Sequence, residues 1–127
     1  MPNLTPSQEL GQLGESKVLS SYLKDGFKLV EANWRCVFGE IDLIIQKKQL
    51  LVFAEVKTGK KDAAVHPLEN ITLKKAHKLQ LLIQYYIEIE KLDSMKINEV
   101  RLDIATVLED SGKFKIDVIE NLPMPWA

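Results

Sequence analysis

The fold is decided by the stretch Gly39-Glu40-Ile41-Asp42-Leu43-Ile44-Ile45-Gln46-Lys47-Lys48-Gln49-Leu50-Leu51-Val52-Phe53-Ala54-Glu55-Val56-Lys57. Two runs rich in β-branched and other apolar residues flank a polar turn over residues 46 to 49, and such runs favour strands. Two strands joined by so short a connection predict a β-hairpin, although its turn lacks the Gly or Asn that most hairpin turns carry.

Two registers of this hairpin are reasonable. A four-residue turn pairs Ile45 with Leu50, whereas a two-residue turn at residues 48 and 49 pairs Lys47 with Leu50. The tighter turn sets Asp42 opposite Glu55, and the looser turn sets Glu40 there. Because side chains alternate between the faces of a strand, both registers put the same polar residues on one face and the same apolar residues on the other. The polar set is Glu40, Asp42, Glu55 and Lys57, and the first strand's apolar set is Ile41, Leu43 and Ile45.

The other elements follow from hydrophobic periodicity and from turn residues. Thr5, Pro6 and Gln8 form a helix start, and Asp25-Gly26 a helix stop, so a first helix is predicted over about residues 6 to 25. We then expect a strand over 27–32, an irregular segment over 33–36, a loop over 58–70, a helix from near 70 or 72 to about 91, strands over 100–107 and 114–119 with a turn at 110–112, and an irregular tail from about 120. The order αβββαββ predicts an α/β fold with a mixed sheet flanked by helices.

The length and composition of the chain limit the classes of protein to which it can belong. With 127 residues, 46% hydrophobic and 28% charged, we expect one domain with a sizeable core, and the composition excludes an intrinsically disordered chain. The longest apolar run, Leu50 to Ala54, is far too short for a transmembrane helix. Cys36 is the single cysteine, and no basic residue precedes Lys17, so we expect a cytoplasmic protein without a secretory signal.

Charge is unevenly distributed along the chain. The net charge of −1 argues against a protein that coats nucleic acid through bulk charge. Residues 46 to 80 nevertheless hold eight basic and three acidic groups, and the lysines are Lys47, Lys48, Lys57, Lys60, Lys61, Lys74, Lys75 and Lys78. Such a region suits a phosphate-bearing partner, and a solvated lysine-rich surface is the alternative. Arg35 is a further candidate for a phosphate contact, because its planar guanidinium can bind two oxygens.

Three carboxylates and a lysine on one sheet face would be costly if that face were buried and dry. A cation would explain them, since Mg²⁺ is usually held by one or two carboxylates together with water and phosphate oxygens. Asp42 and Glu55 could supply the protein ligands, and Lys57 could orient the attacking water as a phosphodiester is cleaved. The alternative is a solvent-facing surface on which Glu55 and Lys57 simply pair.

Several motifs together resemble a known family. They are Gly11-x-x-Gly14-Glu15, Asn33-x-Arg35, Gly39-Glu40-Ile41-Asp42-Leu43-Ile44, Val52-Phe53-Ala54-Glu55-Val56-Lys57, Lys75 and Arg101-Leu102-Asp103. They resemble the YraN-like family of bacterial proteins, which is similar to archaeal Holliday junction resolvases among the restriction-endonuclease-like PD-(D/E)xK nucleases. The resemblance implies a three-layer restriction-endonuclease-like core and metal-dependent phosphodiester cleavage.

The resemblance also implies roles for individual residues. Asp42 and Glu55 match the metal-binding acids, Lys57 matches the catalytic lysine, and Glu15 matches the helix-borne acid that completes the site. Glu40 would support them. Where the family often has Arg, this chain has Gly59, so a phosphate contact would pass to Lys60 or Lys61.

The leading hypothesis is therefore an endonuclease that uses Mg²⁺ or Mn²⁺ to cleave DNA, branched or duplex. The predicted nucleic-acid contacts are Arg35, Lys60, Lys61, Lys75 and Lys78. A non-catalytic nucleic-acid-binding or repair-associated module is the alternative from another class, and a protein-interaction domain with an acidic C-terminal third is the third. We expect no membrane association, and a homodimer is compatible with each hypothesis.

Overall fold

The computed structural model describes residues 3–62, 71–90, 92 and 96–122. The elements are α1 (Pro6–Lys24), β1 (Lys28–Cys36), β2 (Gly39–Lys47), β3 (Leu50–Lys60), α2 (Leu73–Glu90), β4 (Glu99–Asp110) and β5 (Lys113–Ile119). This order confirms the predicted αβββαββ arrangement. Much of the loop predicted before α2 (63–70), the predicted last helical residue 91 and the end of the predicted tail (123–127) lie outside the described residues.

The five strands form one mixed sheet in the order β1-β2-β3-β4-β5. Neighbouring strands are antiparallel except β3 and β4, which are parallel because the chain crosses over through α2 between them. Each helix packs on its own face of the sheet. The α1 face buries Val18, Tyr22, Leu43, Ile45, Val52, Ala54, Val56, Ala105 and Val107, and the α2 face buries Ile41, Ile44, Leu51, Phe53, Leu79, Leu82, Ile83, Tyr86, Leu102 and Ile104. Within the described ranges, no helix is long and apolar enough to span a membrane.

The β2–β3 hairpin uses the tighter of the two predicted turns. Lys47 pairs with Leu50, and Lys48 adopts a φ of 54°, so a lysine takes the left-handed conformation usually left to Gly or Asn. The β2–β3 ladder ends at the pair of Leu43 with Ala54. Beyond that pair, the Val56 N–H donates instead to Asp42 Oδ2 at 2.8 Å. The two strands therefore fork at Asp42, the residue that the same register sets opposite Glu55.

Two expectations about the strands were wrong. The segment 33–36 is not irregular but completes β1, because Trp34, Arg35 and Cys36 pair across the sheet with β2. Only Asn33 departs from extended geometry, with a φ of 53°. β3, β4 and β5 likewise extend beyond their predicted bounds, and β3 includes residues 58–60 of the predicted loop.

The strict alternation predicted for β2 was also wrong. Ile41 packs on the α2 face, whereas Leu43 and Ile45 pack on the α1 face. The change of face falls where the β2–β3 ladder ends and where the facing residue of β1, Asn33, adopts a φ of 53°. The polar residues consequently gather at the fork between two strands rather than on one face of a flat sheet.

Helix α1 is held close to β3 at one position. Its start is a complete capping box between Thr5 and Gln8. Gly14 is buried, and a Cβ there would lie only 2.9 Å from Thr58 Cγ2 and 3.0 Å from Thr58 Cβ. The glycine thus permits a contact between helix and strand that no other residue would allow, and the following residue, Glu15, is carried to the fork.

A buried polar network fixes the other end of α1. Tyr22 donates its hydroxyl hydrogen to Asp103 Oδ2 at 2.7 Å, and Arg101 contacts the same fully buried carboxylate through Nε at 2.8 Å and Nη2 at 2.9 Å. The backbone N–H of Asn121 also donates to Asp103, at 3.0 Å. Arg101 and Asp103, which belong to a motif quoted for the family resemblance, therefore tie α1 to β4 and do not reach the fork.

Candidate active site

A cleft of about 1020 Å³ opens where α1 meets the fork of the sheet. Its polar lining includes Glu15 from α1, Asn33 and Arg35 from β1, Glu40 and Asp42 from β2, and Glu55, Lys57 and Thr58 from β3. The structure thus brings together all four residues predicted to be catalytic, and Glu40 with them. They come from three different elements, α1, β2 and β3.

Glu15 and Glu55 crowd around Asp42. Burial, and then the charge and hydrogen bonding of Asp42, raise the pKa of Glu15 to about 7. Burial and hydrogen bonding with Asp42 raise the pKa of Glu55 to about 9, against the opposing charges of Lys57 and Lys75. Glu15 and Glu55 therefore retain protons at pH values where ordinary carboxyls are ionised, because burial and then the neighbouring Asp42 disfavour their charged forms.

Lys57 lies beside this cluster. Its Nζ is 3.7 Å from Glu55 Oε2, and the two side chains are 26% and 16% exposed. The pairing of Glu55 with Lys57 that was considered for a solvent-facing surface therefore exists. It lies within the cleft, next to two further acids. An ion pair on an open sheet surface would not account for Asp42 and Glu15 beside it.

Asn33 is a polar residue of the cleft for which no role was predicted. Its amide nitrogen, in the orientation that satisfies its neighbours, donates to Glu40 Oε1 at 3.0 Å and to Glu15 Oε1 at 3.2 Å. The available signal was the Asn-x-Arg motif, because Asn is among the few residues that adopt a positive φ readily. Arg35 forms an ion pair with Glu40, at 3.0 Å between Nε and Oε2, and 75% of its side chain is exposed.

A second, smaller cavity of about 190 Å³ lies on the α2 side of the fork. Lys75 and Lys78 of α2 line it together with Glu40 and Glu55, two of the acids that line the larger cleft. The two predicted lysines are thus brought next to the acids, and the acidic site is bordered from both faces of the sheet.

Lys60 and Lys61 were predicted to contact nucleic acid, and this stays a prediction. Neither lysine lines either cavity. Lys61 instead donates its backbone N–H to Glu109 and forms an ion pair with Asp110, at 3.4 Å. The cause is the parallel β3–β4 pairing, which continues to Lys60 and carries the end of β3 away from the fork.

The donor set suits a hard divalent cation, but it is not arranged as a complete ligand shell. Asp42 and Glu55 offer carboxylate oxygens, the ligands that Mg²⁺ and Mn²⁺ prefer. In the part of the chain that the structure describes, no three acidic, histidine or cysteine side chains stand ready as a metal-binding group. The residues therefore fit an ion held by two carboxylates, with the other positions left to water or phosphate.

Sequence comparison gives this arrangement a family context. Residues 14–107 match the model of the uncharacterised protein family UPF0102. The chain belongs to this family. UPF0102 is the YraN-like family that the motifs resemble, so that prediction is confirmed, and the matched segment includes Glu15, Asp42, Glu55 and Lys57.

Individual UPF0102 proteins align over most of their length. One from Tropheryma whipplei (strain TW08/27) is 37% identical over 98 residues, which is 77% of this chain and 80% of the relative. One from Alkaliphilus metalliredigens is 35% identical over 116 residues, 91% of this chain and 97% of the relative. One from Clavibacter michiganensis subsp. michiganensis is 36% identical over 119 residues, covering 93% and 98%.

Proposed function

We propose that this UPF0102 protein is a metal-dependent endonuclease that hydrolyses phosphodiester bonds of DNA. The observation that carries the proposal is the convergence of Glu15, Asp42, Glu55 and Lys57 on one cleft at the fork of the sheet. Such a cluster is costly for folding, and perturbed carboxyl groups in a cleft are typical of functional sites. The resemblance to resolvase-like nucleases assigns the same residues to phosphodiester cleavage.

Asp42 and Glu55 are the residues that would hold Mg²⁺ or Mn²⁺, with Glu15 as the third acid. Their crowding supports this assignment, because a dication would replace the proton that Glu55 otherwise keeps. When bound, such an ion activates water and neutralises charge on a phosphate. The hydrogen bond from Val56 N–H holds one oxygen of the Asp42 carboxylate, and Asp42 lines the cleft.

Lys57 would act directly on the reacting groups. An ammonium has three donors and no acceptor, so beside Glu55 it can hold a water molecule and offset negative charge that develops on a phosphate oxygen. Its partial exposure leaves it accessible to a substrate in the cleft. Arg35 on one side of the acids and Lys75 and Lys78 on the other would contact neighbouring phosphates.

A non-catalytic nucleic-acid-binding module is the second candidate. It is favoured by the lack, among the described residues, of three side chains already arranged as metal ligands. Such a module would bind DNA through Arg35, Lys75 and Lys78 and leave it intact. A cytoplasmic location, as expected from the lone cysteine, suits both candidates.

A cleavage assay on a panel of DNA substrates distinguishes the two candidate functions. Labelled branched, duplex and single-stranded oligodeoxynucleotides are incubated with Mg²⁺ or Mn²⁺ and the wild-type protein, Asp42→Asn, or the control Asp117→Asn, which alters an exposed acid of β5. We expect cleavage of at least one substrate, on the order of 100-fold slower in Asp42→Asn and unchanged in Asp117→Asn. Binding without cleavage by the wild type would favour the module, and equal cleavage by both variants would contradict the proposed site.

A further inference from the structure

The turn between β1 and β2 presents apolar side chains to solvent. Val37 is 91% exposed and Phe38 is 61% exposed, although both belong to residue types that are ordinarily buried. The turn is held in shape by a hydrogen bond from the Phe38 N–H to Cys36 Sγ, at 3.4 Å. The Phe38 ring is therefore kept at the surface by a defined turn.

A series of aromatic contacts connects this exposed ring to the core. Phe53 contacts Tyr86 with ring centroids 5.4 Å apart, Tyr86 contacts Trp34 at 5.2 Å, Trp34 contacts Tyr85 at 6.2 Å, and Tyr85 contacts Phe38 at 5.2 Å. Edge-to-face and tilted contacts of this kind restrain ring orientation. The Phe38 ring is consequently already ordered at the surface, so little conformational entropy is lost when a ligand binds to it.

Phe38 and Tyr85 border an apolar groove of about 460 Å³ between α2 and the β1–β2 turn, which we call the tip groove. Leu81 and Leu82 line it too, and Leu81 is 52% exposed. Glu88 lies in its lining as well, and Lys78 is the cationic residue there. The volume is in the range of pockets that hold ring-sized ligands.

The tip groove adjoins the acidic site. Lys78 and Leu82 line both the tip groove and the 190 Å³ cavity that contains Glu40 and Glu55. The β1–β2 turn can lie this close to α2 because of Gly39. A Cβ at this position would lie 3.2 Å from Leu82 Cδ1 and 3.3 Å from Lys78 Cε. A strand with a phosphate at the acids would therefore have a neighbouring nucleotide at the groove.

We propose that the tip groove binds an unpaired nucleobase of that strand, an inference that rests on the proposed nuclease function. A base offers a flat apolar face for Phe38, and Arg35, Lys75 and Lys78 supply positive charge for the adjoining backbone, the combination used for unpaired nucleic acid. Bases within a continuous duplex are stacked on one another and cannot enter. The groove thus favours DNA that has an unpaired base next to the phosphate held at the acids.

The test measures binding in chelator, where no cleavage occurs. Fluorescence anisotropy compares three duplexes of equal length: fully paired, with one unpaired base, and with an abasic residue in place of that base. We expect the wild type to prefer the unpaired base over the abasic residue by about tenfold, the scale of one base–aromatic stack. Phe38→Ala and Phe38→Leu should lose this preference and bind the paired and abasic duplexes as the wild type does. Phe38→Trp should retain it.

Other outcomes overturn the inference in distinguishable ways. Equal affinity of the wild type for the unpaired-base and abasic duplexes would refute the base groove and leave the nuclease proposal intact. No binding to any of the three would contradict the nuclease proposal and the groove together. If Phe38→Ala converts a dimer into a monomer in analytical ultracentrifugation and leaves base preference unchanged, the groove belongs to a second copy of the chain.

Discussion

Replacing Glu55 by Gln should stabilise the metal-free protein, and the gain should grow with pH. The pKa of Glu55 is raised from 4.5 to about 9 by burial and by Asp42, and its side chain is only 16% exposed. Between these two pH values the folded wild type binds a proton that the unfolded chain has released, so its stability falls as pH rises. At about 1.4 kcal/mol per pH unit, the loss approaches about 6 kcal/mol by pH 9 and about 3 kcal/mol by pH 7.

Glutamine resembles the protonated acid and cannot ionise, so the variant should lose most of this pH dependence. Urea denaturation at pH 5, 6, 7, 8 and 9 in chelator measures it directly. We expect Glu55→Gln to match the wild type near pH 5 and to exceed it by about 3 kcal/mol at pH 7. The control Glu99→Gln, at an exposed position that begins β4, should follow the wild type.

Parallel pH profiles for Glu55→Gln and the wild type would refute the raised pKa of Glu55. A less stable variant at pH 8 would show that the ion pair of Glu55 with Lys57 outweighs burial and repulsion. Mg²⁺ should narrow the difference in stability between the two proteins. It should stabilise the wild type more than the variant, because binding needs the ionised carboxylate.

Three further perturbations test the framework of the site and its substrate path. Gly14→Ala should cost about 1–2 kcal/mol in urea denaturation because its methyl group meets Thr58, whereas Gly11→Ala, with no neighbouring atom of the described residues within 4 Å, should gain up to about 1 kcal/mol. Tyr22→Phe should lower the free energy of unfolding by about 2 kcal/mol, since it removes a buried hydrogen bond to the Asp103 carboxylate. Replacing Lys75 and Lys78 together by Ala should reduce the slope of log DNA affinity against log salt by roughly two, measured by anisotropy.

Each of these has a result that would count against it. Thr58→Ala should partly rescue Gly14→Ala, and a lack of rescue would place the strain elsewhere. An unchanged stability of Tyr22→Phe would mean that Arg101 alone satisfies the buried carboxylate. The paired control for the salt experiment is Lys113→Ala with Lys115→Ala on β5. An equal effect of both pairs would show that Lys75 and Lys78 act only through the overall charge of the protein.

The fold was predictable where a periodic pattern coincided with turn chemistry. Helix α1 has its capping box and its terminal Asp25-Gly26, and the hairpin was recognisable from two β-rich runs. The choice between its two registers was not predictable, because it depends on Lys48 adopting a φ of 54°, which residue preferences do not favour. The grouping of Glu40, Asp42, Glu55 and Lys57 was predictable because both registers bring them together.

The remaining features of the site depend on long-range geometry. The fork at Asp42 arises where the β2–β3 ladder ends, so alternation alone could not show that Ile41 faces the opposite helix from Leu43. Asn33 is brought to Glu15 only by the fold, and the ion pair of Lys61 with Asp110 likewise joins two distant parts of the chain. Local sequence patterns do not predict such contacts, because the contacts join residues that are far apart in sequence.

The most direct test of the account is a calorimetric titration of Mn²⁺ into the metal-free protein. We expect the wild type to bind the ion, Asp42→Asn and Glu55→Gln each to bind it at least about tenfold more weakly because each removes a carboxylate ligand, and Asp117→Asn to bind it as the wild type does. Asp42→Asn keeps an acceptor for the Val56 N–H, so a loss of affinity would report on the ligand and not on the fold. Equal affinity and stoichiometry in all four proteins would contradict a metal site at the fork of the sheet.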